Sequence, residues 1–208
     1  MSLTCLTDAA AVAVADASAV INLNATGCAR EIVGALPNRI VVVDIVPEEL
    51  ARGRERDRKD ADLLHELVAA GAIEIARLDE TALEYFEGFV VGSAADTLDD
   101  GEAATIAYAL AEGAIPLIDE RKATRLCVAR HPALRVGCTV DLFAHPELPQ
   151  RLGREPLADA VFNALFRGRM RVFPHHLEWV LELIGTERAK RCSSLPAAVR
   201  FPAAKLGE

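Results

Sequence analysis

The chain has 208 residues, of which 51% are hydrophobic and 26% charged, the profile of a folded globular protein. This profile excludes wholesale disorder, a collagen-like repeat and a disulfide scaffold. The formal net charge is −8, but residues 151–208 carry ten Lys or Arg against six Asp or Glu, so the acidic excess lies in residues 1–150. An acidic chain argues against non-specific nucleic-acid binding, whereas the uneven distribution leaves room for an acidic site beside basic segments.

Cysteine usage and the N-terminus bear on the compartment of the protein. The five cysteines are widely spaced and include no Cys-x-x-Cys pair, which favours a reducing environment over a disulfide framework. The N-terminus lacks the basic segment of a signal peptide, and no apolar run approaches the ~20 residues of a membrane span. We therefore predict a cytoplasmic protein with no membrane association.

Short apolar runs alternate with helical patterns along the chain. The expected strands are residues 12–15, 39–43, 73–78, 115–118 and 134–136. The expected helices are residues 17–23, 28–36, 47–50, 63–68, 81–91, 99–112, 122–130, 157–167 and 175–184. Strands alternating with helices predict an α/β fold with three layers, α/β/α, around a central parallel sheet.

A change in composition near residues 146–149 predicts a domain boundary. We expect a first domain at residues 1–146 and a helical C-terminal extension, residues 147–208, packed on it. Residues 51–60 alternate in charge. We interpret them as a solvated helix face or loop, with a substrate-facing basic edge as the alternative.

Acidic side chains follow two of the expected strands. Asp16 comes after the first strand and Asp119 after residues 115–118, and the carboxyl ends of parallel strands meet at one edge of a sheet, where ligands bind. Glu102 near the start of the preceding helix and Glu49 after the second strand could join them. Clustered carboxylates repel one another, and a hard divalent cation such as Mg²⁺ or Mn²⁺ removes that cost. Because the chain has 31 acidic residues, spacing alone does not single out this quartet.

Five segments in chain order resemble the motifs of the PIN-domain family. Residues 14–23 (VADASAVINL) resemble its opening Asp-x-Ser motif and the apolar helix after it, and residues 45–50 (IVPEEL) resemble the motif in which Glu precedes Leu. The later motifs are residues 101–107 (GEAATIA), 117–123 (LIDERKA) and 137–139 (GCT). The resemblance covers roughly residues 11–145 and implies a PIN fold.

The resemblance also implies a set of site residues. Asp16, Glu49, Glu102 and Asp119 take the catalytic and metal-binding positions, with Mg²⁺ or Mn²⁺ as the cofactor. Two adjacent glutamates leave Glu48 as the alternative to Glu49 in the second motif. Side chains that support the site would be Ser18 and Thr139.

The activity that the resemblance implies is a metal-dependent endoribonuclease, which hydrolyses RNA to products with a 5′-phosphate and a 3′-hydroxyl. Many bacterial members are the toxin of a toxin–antitoxin pair, which implies an antitoxin protein as a partner, and a homodimer is expected from the family. The alternative is a catalytically silent PIN-fold module that binds nucleic acid or protein.

Basic side chains near the expected site are candidates for contacts with RNA phosphates, the main source of nucleic-acid affinity. The candidates are Arg121, Lys122 and Arg125 after Asp119, and Arg167, Arg169 and Arg171 in the basic tail. For each group a solvated surface is the alternative. The five histidines lack the spacing of a metal site, so none is predicted to bind a metal.

Overall fold

A computed structural model describes residues 4–52 and 59–201 of the chain. Its sheet has four parallel strands, β1 (Ala13–Ala15), β2 (Ile40–Val43), β3 (Ile73–Ala76) and β4 (Ile115–Leu117), in the order β3-β2-β1-β4. β1 and β4 are neighbours, with Ala15 paired to Leu117, so their carboxyl ends lie side by side. The central parallel sheet between helices is the predicted PIN-like α/β/α architecture, which is thereby confirmed.

One strand prediction was wrong. Residues 134–136 form no strand, because the amide of Leu134 bonds to the carbonyl of His131 and turns the chain. The contact with the sheet is made one residue later, where Gly137 forms an isolated parallel bridge with Leu117. This bridge extends the edge of the sheet beside β4 and delivers the next residues to its carboxyl end.

Helices surround the sheet on both faces. They are α1 (Ala17–Ala25), α2 (Ala29–Ala35), α3 (Ile45–Arg52), α4 (Asp60–Ala69), α5 (Glu80–Val90), α6 (Asp100–Glu112), α7 (Arg121–Arg130), α8 (Thr139–Phe143), α9 (Glu147–Leu152), α10 (Arg154–Phe166), α11 (Leu177–Ile184), α12 (Thr186–Lys190) and α13 (Ala197–Arg200). Within the described ranges, none has the length and apolar character needed to cross a membrane. Most of the charged segment 51–60 lies outside the described residues.

Side chains of successive strand residues pack into cores on opposite faces of the sheet, as the two-residue period of a strand requires. Ala13 and Ala15 join the larger core with α1 and α10, whereas Val14 packs with Val43 and the small residues of α6 on the other face. Ala104 and Ala109 are almost fully buried there. Short side chains on α6 thus cover the sheet and hold the N-terminal end of that helix beside the ends of the strands.

The C-terminal helices are packed directly on the first helix. Leu157 and Val161 of α10 belong to the same hydrophobic core as Val20 and Leu23 of α1. Residues on both sides of position 146 therefore share one core. The division into units 1–146 and 147–208 stays a prediction.

Candidate metal-binding cleft

An open cleft of about 270 Å³ lies at the carboxyl ends of β1 and β4. The structure brings all four predicted acids, Asp16, Glu49, Glu102 and Asp119, to its lining. They come from four different elements: the ends of two neighbouring strands, the helix after β2 and the first turn of α6. We refer to these four residues as the acidic quartet.

Asp16 is fixed in place by the start of α1. It is the N-cap of that helix, and its Oδ1 accepts a hydrogen bond from the amide of Ala19 at 2.7 Å. The Ser18 hydroxyl lies 2.9 Å from both carboxylate oxygens and donates to them. Ser18 thus lies where a residue that supports the site was predicted. The cap geometry and the hydroxyl together orient a carboxylate that is only 3% exposed.

Asp119 is held by three hydrogen bonds. The Thr139 amide donates to Oδ1 at 2.8 Å, and the Thr139 hydroxyl donates to Oδ2. The side-chain amide of Asn22 donates to the same Oδ2 at 2.7 Å. Sequence reasoning anticipated Thr139 but missed Asn22, although a buried Asn within the apolar run of α1 was a usable signal.

Glu49 lies against the backbone of α6. A Cβ built on Gly101 would come within 2.1 Å of Glu49 Oε2, so the carboxylate occupies the space that a side chain at position 101 would need. Glu48 is exposed and does not line the cleft. Of the two adjacent glutamates, the structure thus places Glu49 in the cleft, and it gives a steric reason for glycine at position 101.

Two further acids line the cleft. Asp99 is the N-cap of α6, where it accepts a hydrogen bond from the amide of Glu102 at 2.9 Å, and Glu120 is the N-cap of α7. Both residues therefore cap a helix and also face the cleft.

Burial and mutual repulsion disfavour ionisation of the acidic quartet. Burial raises the pKa of Asp16 well above its usual range, and the charge of Asp119 adds to this rise. The pKa of Glu102 is raised to about 7, mainly by burial and to a smaller extent by the charges of Asp99 and Glu120. Burial also raises the pKa values of Glu49 and Asp119. Concentrated, oxygen-only donors of this kind suit a hard divalent cation, so the residues fit Mg²⁺ or Mn²⁺.

The raised pKa of Glu102 predicts how stability depends on pH without metal. Between its ordinary value of 4.5 and about 7, the folded protein holds a proton that the unfolded chain releases. The free energy of unfolding therefore falls as pH rises through that window. We expect the melting temperature in EDTA to fall more steeply from pH 5 to pH 8 in the wild type than in Glu102→Gln. Mg²⁺ should flatten the wild-type profile, and equal slopes for the two proteins would contradict the prediction.

Another part of the cleft lining is basic and comes from the C-terminal part of the chain. Gly168, Arg169 and Arg171 line it, and Arg171 forms an ion pair with Glu120. Gly168 packs closely on α1, because a Cβ there would lie 2.8 Å from Asn22 Oδ1. Arg169 has a φ of 56°, an uncommon conformation for a residue with a side chain.

The other predicted basic contacts lie elsewhere. Arg121, Arg125 and Arg167 are exposed and do not line the cleft. The Lys122 ammonium donates to the carbonyl of Ala94 at 2.7 Å. Of the six predicted basic side chains, Arg169 and Arg171 line the cleft, and the charge of Lys122 also acts on Glu102. The roles of all six in substrate binding stay predictions.

Comparison with protein-family models matches residues 12–186 to a PIN domain. Because this match covers more than half of the chain, the protein belongs to the PIN-domain family. PIN domains are generally nucleases. The match runs well past residue 145, where the motifs recognised in the sequence end, and it includes Arg169 and Arg171. Comparisons with curated proteins and with solved structures found no match.

Proposed function

We propose that the protein is a metal-dependent ribonuclease that hydrolyses RNA phosphodiester bonds at the acidic quartet. The observation that carries the proposal is the convergence of Asp16, Glu49, Glu102 and Asp119 on one open cleft. A catalytically silent module has no need for a buried carboxylate cluster that costs stability. Family membership supports the same conclusion, because PIN domains are generally nucleases.

The acidic quartet would hold Mg²⁺ or Mn²⁺, which supplies activation of water and stabilisation of charge on the attacked phosphate. The chain itself contributes orientation. Ser18 and the α1 cap fix Asp16, while Thr139 and Asn22 fix Asp119, so both carboxylates are positioned before substrate arrives. In the metal-free cleft burial raises the pKa of Glu102 to about 7, so metal binding there should strengthen as pH rises toward that value.

RNA cleavage tests this proposal. We expect purified protein to cleave a labelled single-stranded RNA in Mg²⁺ or Mn²⁺ and to be inactive in EDTA. The products should carry a 5′-phosphate and a 3′-hydroxyl, because water attacks the phosphorus and the 3′ oxygen leaves. Products ending in a 2′,3′-cyclic phosphate would show that the RNA 2′-hydroxyl is the nucleophile and would exclude this mechanism.

Arg169 and Arg171 are proposed to bind RNA phosphates beside the quartet. Arg171 would give up its ion pair with Glu120 to bind a phosphate. Among the described residues, no acidic side chain forms an ion pair with the Arg169 guanidinium. Arginine suits this role because its planar fork matches phosphate oxygens.

We expect Arg169→Gln and Arg171→Gln each to weaken RNA binding and to reduce the slope of log affinity against log salt by about 0.7, the value for one phosphate contact on a single strand. Binding should be measured in the Asp16→Asn background so that the RNA stays intact. Arg151→Gln is the matched control, since Arg151 lies on α9 and pairs with Glu147. A salt slope unchanged from that of the control would remove the arginines from the substrate site.

The biological setting is also a proposal. A role as the toxin of a toxin–antitoxin pair predicts that expression of the wild type arrests growth and that expression of Asp16→Asn does not. A small antitoxin protein encoded next to this gene should relieve the arrest. Normal growth with active, folded enzyme would favour a stand-alone nuclease. The homodimer and the cytoplasmic location stay predictions.

A further inference from the structure

Behind Asp119 lies a second, fully enclosed group of ligand-type side chains. Cys138 and Asp141 stand at the start of α8, and His176 lies in the 3-10 turn Pro174–His176 that leads into α11. Their exposed fractions are 2%, 6% and 1%. One potential ligand atom from each residue lies within 4.8 Å of those of the other two. We refer to these three residues as the buried trio.

The separation of His176 and Asp141 fits the edge of a metal coordination shell, and that of Cys138 and Asp141 is slightly shorter than such an edge. The distance from Cys138 Sγ to Asp141 Oδ2 is 3.2 Å, and that from His176 Nε2 to the same oxygen is 3.4 Å. Ligand atoms at zinc distances of about 2.0–2.3 Å and tetrahedral angles lie roughly 3.3–3.8 Å apart. A separation of 3.4 Å is also long for a hydrogen bond between nitrogen and oxygen.

Hydrogen bonding alone leaves the His176 ring poorly satisfied. Its Nδ1 is buried and has no hydrogen-bond partner among the described residues, and its Nε2 makes only the long contact to Asp141. Nε2 is the ring nitrogen that faces the trio, so a cation there would replace its long contact to Asp141 with a coordination bond, whereas Nδ1 points away from the trio.

Further ligand-type groups surround the trio. The Cys5 amide donates to Asp141 Oδ1 at 2.8 Å, and interaction of the Cys5 thiol with Asp141 contributes to the raised pKa of that thiol. The His175 ring centroid lies 4.1 Å from that of His176. Two of the five cysteines and two of the five histidines of the chain thus gather around one aspartate.

We propose that Cys138, Asp141 and His176 form a structural zinc site, with Cys5 as the nearest group to complete its coordination. Sulfur and imidazole donors favour Zn²⁺, whereas the oxygen-only quartet favours Mg²⁺ or Mn²⁺, so the two sites select different metals. On binding, the Cys138 thiol loses its proton to solvent and coordinates as thiolate. The ion would tie the segment around Cys5, the start of α8 and the turn before α11 into one unit directly behind Asp119.

Cobalt titration of the full chain, with any affinity tag removed, tests the site. Co²⁺ bound by a thiolate shows a sulfur-to-metal charge-transfer band, which a carboxylate site cannot produce. We expect such a band at one equivalent in the wild type, and its displacement by Zn²⁺. Zinc should also raise the melting temperature by about 5 °C at saturation.

Four variants separate the alternatives. Cys138→Ser and His176→Gln should lose zinc binding, whereas Cys127→Ser, which changes a buried thiol on α7, should keep the band. Asp16→Asn should also keep it, so failure of the quartet and failure of the trio are distinguishable. Absence of the charge-transfer band in folded wild-type protein would overturn the proposal. The trio would then be a hydrogen-bonded cluster that joins α8 to the turn before α11. An unchanged band in Cys138→Ser would overturn the proposal equally.

Discussion

Asp16→Asn is expected to reduce RNA cleavage in Mg²⁺ on the order of 10³-fold without lowering stability. The substitution removes one charge from the acidic quartet, yet an asparagine Oδ1 can still accept the α1 cap bond from Ala19. Because the buried Asp16 carboxylate repels Asp119, its removal should leave the melting temperature in EDTA unchanged or higher. Initial cleavage rates and thermal melts of the same preparation check both parts.

Asp79→Asn is the matched control for this experiment. Asp79 caps α5 as Asp16 caps α1, and it accepts a hydrogen bond from Ala82 at 2.8 Å, but it does not line the cleft. It should retain wild-type activity. Asp16→Asn with near wild-type activity would show that the quartet is not the catalytic site.

Gly101→Ala is expected to lower activity and Mg²⁺ affinity by about 10- to 100-fold while leaving the fold intact. The new Cβ would lie 2.1 Å from Glu49 Oε2, so the carboxylate must leave its position. Glu49 Oε2 is the far end of a flexible side chain, and alanine favours a helix over glycine by about 1 kcal/mol. The free energy of unfolding should therefore be unchanged or higher, which separates a positional effect from loss of structure.

Gly88→Ala provides the comparison. Gly88 lies within α5, and a Cβ there would meet nothing within 4 Å, so the variant gains the same helix preference without touching the cleft. It should be stabilised and fully active. If Gly101→Ala matched it in activity and Mg²⁺ affinity, the position of Glu49 would have no part in the reaction.

Much of the cleft was predictable, because its main residues follow from local rules. Asp16 and Asp119 directly follow buried strands, and parallel strands bring their carboxyl ends together. The PIN-like motifs then reduced the 31 acids to Glu102 and the adjacent pair Glu48 and Glu49. Local pattern could not choose between Glu48 and Glu49, since that choice depends on the approach of α3 to Gly101 of α6.

The features that sequence reasoning missed depend on contacts between distant segments. Asn22 bonds to Asp119 across 97 positions, and Gly168 meets Asn22 only after α10 has packed on α1. The buried trio likewise joins Asp141 to a histidine 35 positions later. None of these three contacts leaves a spacing signature along the chain. The wrong strand prediction at residues 134–136 has a local cause instead. The apolar residues suggested a strand, but a turn in which the Leu134 amide bonds to the His131 carbonyl prevents one.

The close packing of Gly168 against Asn22 suggests how a ligand outside the cleft could inhibit the protein. Asn22 donates a hydrogen bond to Asp119, and its Oδ1 occupies the space that a side chain at position 168 would need, so one residue links the segment after α10 to a quartet carboxylate. A ligand that displaced α10 from α1 would thus misalign Asp119 from outside the cleft. Such a ligand would not have to compete with RNA or imitate its charge.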